Sequence, residues 1–423
     1  MILKINRHKI TWFITLLFCL CSIQFFSIKY LTANHWQLIY ELIIVMLVIH
    51  SFATRSLVYD KRTLFNKEIL ALMLIPLFSA IPANIFHQQS YVHSILAAKH
   101  YLLFLFYFYL KTKRIDFESI EKLIVGLGVV VAIIYIVQTV TFPITFFQVI
   151  KDTNDVAFEV RANVVRILFF EPTYMVFALL YYGNKLVKER NIKNIVFLGI
   201  CVTGVMLTAT RQIIFFSIGS LMMLYLLTLN FRSVRTYSFL ILFVVIAAVF
   251  VGVGGGKYLD SLINLTQRQD VTGADYVRLR AFNFYLYDYM PSIVNYIIGN
   301  GVNYGDSAYG KEMLDLEQGQ GLYRSDIGLV GALNLFGIIY ILPIFFIFLK
   351  VFRAKLHNRT YYKFFFFYIL TTAFTGGNLF SLPWTFTLIF MLLYNVEKIV
   401  GLKNDSRVFG KKALSPVINH QGA

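Results

Sequence analysis

Five arginines and two carboxylates stand out in an otherwise apolar chain: Arg166, Arg211, Arg278, Arg280 and Arg324, with Glu171 and Asp326. Arginine stays charged at any ordinary pH and presents a planar fork that grips phosphate or carboxylate oxygens two at a time. A carboxylate nearby can accept a proton as a general base. The set can therefore hold an anionic group and move a proton. Each member also has a plainer reading. Arg278 and Arg280 lie in a stretch, 254–325, where eight acids outnumber six bases, and either can be a solvated ion-pair partner. Arg211 can be an interfacial anchor whose stem lies along apolar surface. Glu171 can pair with Arg166, and Asp326 can cap the helix that follows it.

Other patterns lead nowhere. The run GVGGGK ending at Lys257 has Val251 where a phosphate-binding loop needs its first glycine and Tyr258 where it needs Ser or Thr. Asp315 and Glu317 form an acidic pair with no third ligand at metal spacing, and His87, His93 and His100 read as interfacial packing. The three cysteines, Cys19, Cys21 and Cys201, fall in apolar windows and imply neither a disulfide framework nor a zinc site. No metal and no cofactor is expected.

The elements that must position these residues are set by hydropathy. With 58% apolar and 14% charged residues, the chain is too apolar for a soluble protein of 423 residues. A helix needs about 20 apolar residues to cross a bilayer, and such windows recur along nearly the whole length. They predict an all-α, polytopic membrane protein of about twelve helices, at roughly 10–28, 37–54, 68–86, 94–110, 123–142, 166–183, 195–208, 212–229, 237–253, 326–349, 361–376 and 382–400. One large polar loop, 254–325, separates the ninth and tenth helices. It has room for short helices of its own, the best candidate running from Tyr276 to Tyr289 before Pro291. The whole of 1–423 reads as a single integral membrane domain.

A net charge of +17 would suggest nucleic acid in a soluble domain, but its location excludes that reading. Of 39 lysines and arginines, 27 fall in the connections that lie on one side of this layout. Positive residues collect in cytoplasmic loops. Both termini are therefore expected in the cytoplasm and the 254–325 loop outside. The basic start of the chain lacks a small-residue cleavage site and reads as an uncleaved first helix.

Several stretches, in order, resemble a known family. They are R-x-x-FFEP from Arg166 to Pro172, LTATR from Leu207 to Arg211, the loop arginines Arg278 and Arg280, IIGNG from Ile297 to Gly301, and SDIGLVGALNLFGII from Ser325 to Ile339. This succession is similar to that of the O-antigen polymerase and ligase superfamily. The resemblance implies an enzyme that joins oligosaccharide repeat units carried on undecaprenyl pyrophosphate, at the outer face of a bacterial inner membrane. The product would be O-antigen, capsular or other exopolysaccharide. It further implies membrane lipid as surroundings, a flippase and a chain-length regulator as partners, and no nucleotide or metal. On this reading Arg166, Arg211, Arg278, Arg280 and Arg324 bind pyrophosphate or sugar, and Glu171 and Asp326 are the catalytic carboxylates. Ligases and many polymerases of that superfamily carry a histidine near the end of the loop, where this chain has Ser325 and Asp326. That departure lowers the ligase reading and leaves the acid or base role open. A lipid-linked oligosaccharide flippase is the alternative from another class, since twelve helices suit a transporter.

Overall fold

The computed structural model describes residues 7–23, 33–55, 63–144, 158–161, 164–167, 172–189, 191–228, 276–375 and 386–412. The predicted ninth helix (237–253), the first part of the loop (254–275) and Glu171 lie outside the described residues, as does the side chain of Arg166.

The N-terminal half runs α1 (Arg7–Ser22), α2 (Ala33–Thr54), α3 (Asn66–Phe78), α4 (Ala80–His87), α5 (Tyr91–Ala98), a 3-10 turn (Lys99–Phe104), α6 (Leu105–Lys113) and α7 (Phe117–Thr141). A two-stranded hairpin, β1 (Phe158–Arg161) and β2 (Val164–Ile167), precedes α8 (Thr173–Lys188), α9 (Ile192–Leu207) and α10 (Arg211–Thr228). The loop carries α11 (Val277–Asn283), a π turn (Phe284–Asp288), α12 (Ile293–Ile298) and α13 (Ala308–Leu314). After it come α14 (Leu329–Phe336), α15 (Ile338–Arg353), α16 (Tyr361–Thr375) and α17 (Phe386–Lys412).

Three helical runs among the described residues are long and apolar enough to cross a membrane: Asn66–His87, Phe117–Thr141 and Arg211–Thr228. Their ends follow local chemistry. The Asp116 carboxylate accepts the Ser119 N–H at 2.9 Å to start α7, and the Asn191 side chain accepts the Lys193 N–H at 3.0 Å to start α9. At Ser79 the α3–α4 run is interrupted, and the Ser79 hydroxyl donates to the Pro76 carbonyl at 2.6 Å. Close helix packing is bought by small residues: a β-carbon on Gly128 would lie 2.3 Å from the Tyr174 carbonyl oxygen, and one on Gly204 would lie 2.8 Å from Ala132 Cβ.

Two expectations are corrected. The predicted helix 166–183 begins only at Thr173, and Arg166 sits in β2 opposite Glu159. The β-branched spacing of Val160, Val164, Val165 and Ile167 favours a strand, and Pro172 biases the residue before it away from helix. The predicted helix 326–349 is broken, with Gly328 and Gly337 both at positive φ.

Polar side chains gather at two ends of the bundle. At one end Lys111 lies 3.2 Å from Glu397, Lys350 lies 2.7 Å from Glu68, and Arg359 lies 3.1 Å from Glu118. Tyr361 and Tyr362 both donate to the buried Glu121. These cations belong to the set assigned to one side from the sequence. The 276–328 segment meets the α4–α5 connection at the other end of α3–α4.

Candidate functional site

Gly337 is where the site begins. Its φ of 70° and ψ of −177° stop α14 and let α15 start in a new direction. The break leaves the Asn334 and Leu335 carbonyls without their helical donors. The loop supplies replacements: the Asn300 N–H donates to Asn334 O and the Gly301 N–H to Leu335 O, each at 2.8 Å. The fit is too close for side chains. A β-carbon on Gly299 would lie 2.3 Å from the Leu335 oxygen, and one on Gly337 would lie 2.1 Å from the Ile297 oxygen. The IIGNG stretch is therefore the piece that docks the loop on the broken helix.

Buried amides hold this junction. Asn295 donates to Asn300 Oδ1 at 2.6 Å, Asn300 to the Tyr289 carbonyl at 3.0 Å, and Asn334 to the Tyr285 carbonyl at 3.1 Å. All three asparagines are buried, so each bond replaces one that water cannot make.

Arg324 lies beside this junction and is only 7% exposed. Its guanidinium donates to Asn303 Oδ1 and, at 3.3 Å, to the Tyr309 hydroxyl, and it lies 5.9 Å from the centre of the Tyr285 ring. Tyr309 in turn donates to Gly301 O at 3.2 Å, and Tyr285 to Leu322 O at 2.8 Å. Burial works against the charge of Arg324, but Tyr309, Tyr285 and Glu317 outweigh it and its pKa lies above the ordinary arginine value.

Asp326 is half-buried in the Arg324–Ile327 turn. It does not cap the following helix, whose N-cap is Gly328 with no side-chain bond. The capping reading is thus overturned: two residues of tight turn separate the carboxylate from the first free N–H groups. The Glu317 carboxyl sits above its usual range because of burial, with Arg324 pulling the other way and Asp326 adding to the rise. Folding therefore favours protonated Glu317, and that stabilisation is present at low pH and lost as pH rises through the folded-state value. Glu317→Gln, always neutral, should lose less thermal stability than the parent between about pH 4 and 7. Parallel melting curves for the two proteins across that range would show that the carboxyl titrates as it does in the unfolded chain.

The α4–α5 connection also reaches the loop. Gln89, buried, donates to Val302 O at 2.9 Å and accepts from the Tyr304 N–H at 2.8 Å and the Ser307 hydroxyl at 2.7 Å. His87 stacks on Tyr309 with ring centres 3.8 Å apart, and its Nδ1 is 3.9 Å from Glu312. Its Nε2 is buried beside Asn300 without a hydrogen bond of ordinary geometry. His93 stacks on Tyr304 at 4.7 Å. These histidines, read from sequence as interfacial packing, pack against the loop. Gln89, Tyr285, Tyr309 and the three asparagines were missed. The signal available was polar amides standing inside apolar runs.

The other arginines are dispersed. Arg280 is exposed and donates to Gln320 O at 2.8 Å, and Arg278 beside it is exposed. Arg211 is half-buried at the start of α10, where Gln212 donates to Thr372 O of α16 at 2.6 Å. The same helix α16 touches the Arg324–Ile327 turn. Arg211 and Asp326 therefore flank one helix. Among the described residues no group of three or more His, Cys, Asp or Glu side chains has the arrangement to hold a metal ion. The described residues offer exposed and half-buried cations that are dispersed, a half-buried carboxylate at Asp326, and a loop segment, 276–328, that covers a helix break. The chain matches no protein-family model, no curated protein and no solved structure.

Proposed function

We propose that the chain crosses the membrane about twelve times with the 254–325 loop at the outer face, and that it polymerises oligosaccharide repeat units carried on a lipid pyrophosphate. The observation that carries this reading is the docking of the loop, through Gly299 to Gly301, on the broken α14–α15 helix. Irregular backbone at membrane depth is tolerated where it is buried in protein or lines a cavity, and broken helices are where polar substrates meet membrane proteins. The one-sided gathering of Lys111, Lys350 and Arg359 with their partners supports the topology.

The reaction is displacement at the anomeric carbon of the donor unit. The acceptor sugar oxygen forms the new bond, the bond from that carbon to the pyrophosphate oxygen breaks, and the electron pair leaves with the lipid pyrophosphate. Arg211, Arg278 and Arg280 would neutralise the charge on that leaving group, with Arg166. Asp326 or Glu171 would take the acceptor proton. Arg324 would position the loop, since each of its two terminal nitrogens already bonds a loop side chain, Tyr309 or Asn303. Arg211→Lys keeps the charge and the snorkelling stem but loses the fork. It should insert at normal abundance and lose most long-chain product. Normal polymer from Arg211→Lys would remove Arg211 from the site.

A strain lacking the chain tests the function. Single lipid-linked repeat units should accumulate at the outer face. Accumulation at the inner face would make the chain a flippase instead, a reading that the helix break also suits.

A further inference from the structure

We infer that α12 is embedded in the outer leaflet, with Ile293, Val294 and Ile297 in contact with lipid. The inference requires the chain to span a bilayer but does not require polymerase activity. These three side chains are exposed, Ile293 at 73%, whereas Asn295 between them is wholly buried in the amide chain to Asn300. Water-facing helices in a loop normally show the reverse, with apolar residues inward and polar ones outward.

Depth follows from what the loop touches. A β-carbon on Gly301 would lie 2.4 Å from the Ser79 oxygen and 2.7 Å from Ala83 Cβ. Ser79 and Ala83 lie eight and four residues before His87, the end of the apolar Asn66–His87 run. At 1.5 Å per residue, the loop just after α12 reaches about 6–12 Å below that end. This is the depth at which interfacial helices bury their apolar faces, about 5–10 Å into the boundary between headgroups and acyl chains.

The surrounding surface agrees. α12 packs on α14 and α15, and α15 exposes Ile338, Leu342 and Phe345. The exposed face of α12 thus continues the apolar surface of a bundle helix. The backbone that enters this depth without being helical, Asn300 and Gly301, has its N–H groups bonded to Asn334 O and Leu335 O, as a low-dielectric surrounding requires. A lipid occupant meets all of these conditions. A soluble partner would need the face to clear the membrane.

Nitroxide labels on Ile293→Cys, Val294→Cys and Ile297→Cys, in the full chain reconstituted in nanodiscs of phosphatidylethanolamine and phosphatidylglycerol, test the inference. The native Cys19, Cys21 and Cys201 are buried, and unlabelled background is checked with the parent protein. Collision rates with oxygen, which concentrates in bilayers, and with a water-soluble nickel chelate are compared with those of a label on the exposed Asp306→Cys. The oxygen-to-nickel ratio should be several-fold higher at 293, 294 and 297 than at 306. Equal ratios would place α12 in water and overturn the inference, as would labels that neither reagent reaches, which would mean the face is covered by protein. Three positions on one face guard against a single variant that fails to fold.

Discussion

Gly337→Ala is expected to destabilise the protein by about 2–6 kcal/mol, a left-handed backbone position and an overpacked contact each costing about 1–3 kcal/mol. The new methyl would need to occupy space 2.1 Å from the Ile297 carbonyl oxygen, which is backbone and cannot turn aside. Relief requires α12 to lift, and that breaks the bonds from Asn300 and Gly301 to the end of α14. The melting temperature in detergent, followed by size-exclusion, should fall well below that of the parent. Gly126→Ala is the control, because nothing lies within 4 Å of a β-carbon there and the backbone is ordinary helix. It should melt with the parent or slightly higher. A Gly337→Ala protein that melts with the parent would show that the loop does not dock on the helix break.

Arg324→Met is the second large effect, expected at about 3 kcal/mol or more, the cost of removing one partner from a buried charged network. The substitution leaves Asn303 and Tyr309 without their donor and deprives Glu317 of its counter-charge. Arg324→Lys keeps the charge but cannot bridge both partners, and should cost less, about 1–2 kcal/mol. Both variants should lose stability and product together, as befits a residue that positions the loop. A variant that keeps full stability while losing product would return Arg324 to direct contact with substrate.

Most helices were legible in the sequence because apolar runs, caps and prolines are local signals. The Tyr276 to Tyr289 helix ends before Pro291 as expected, although its last turn is π rather than α. The hairpin at Arg166 was hidden because an apolar average does not distinguish Val-Val-Arg-Ile in a strand from the start of a span. The break at Gly337 was hidden for a similar reason. Leu-Phe-Gly-Ile-Ile is apolar throughout, and the conformation of Gly337 depends on Ile297, forty residues earlier. Arg324 was visible as a charge, but its burial depends on Asn303 and Tyr309 folding over it. His87 and Gln89 sit more than 200 residues before the loop residues they touch, Tyr309 and Val302, and no local pattern joins them.

Chain growth by this protein on lipid-pyrophosphate units can be followed by reconstitution. The purified full chain in nanodiscs, given lipid-linked repeat units and excess chelator, should convert them into a ladder of longer chains with release of lipid pyrophosphate. Asp326→Asn, equally folded, should leave the units single if Asp326 takes the acceptor proton and should still build the ladder if Glu171 does. A folded parent protein that leaves the repeat units single, with and without added magnesium or manganese, would mean that this chain is not the polymerase.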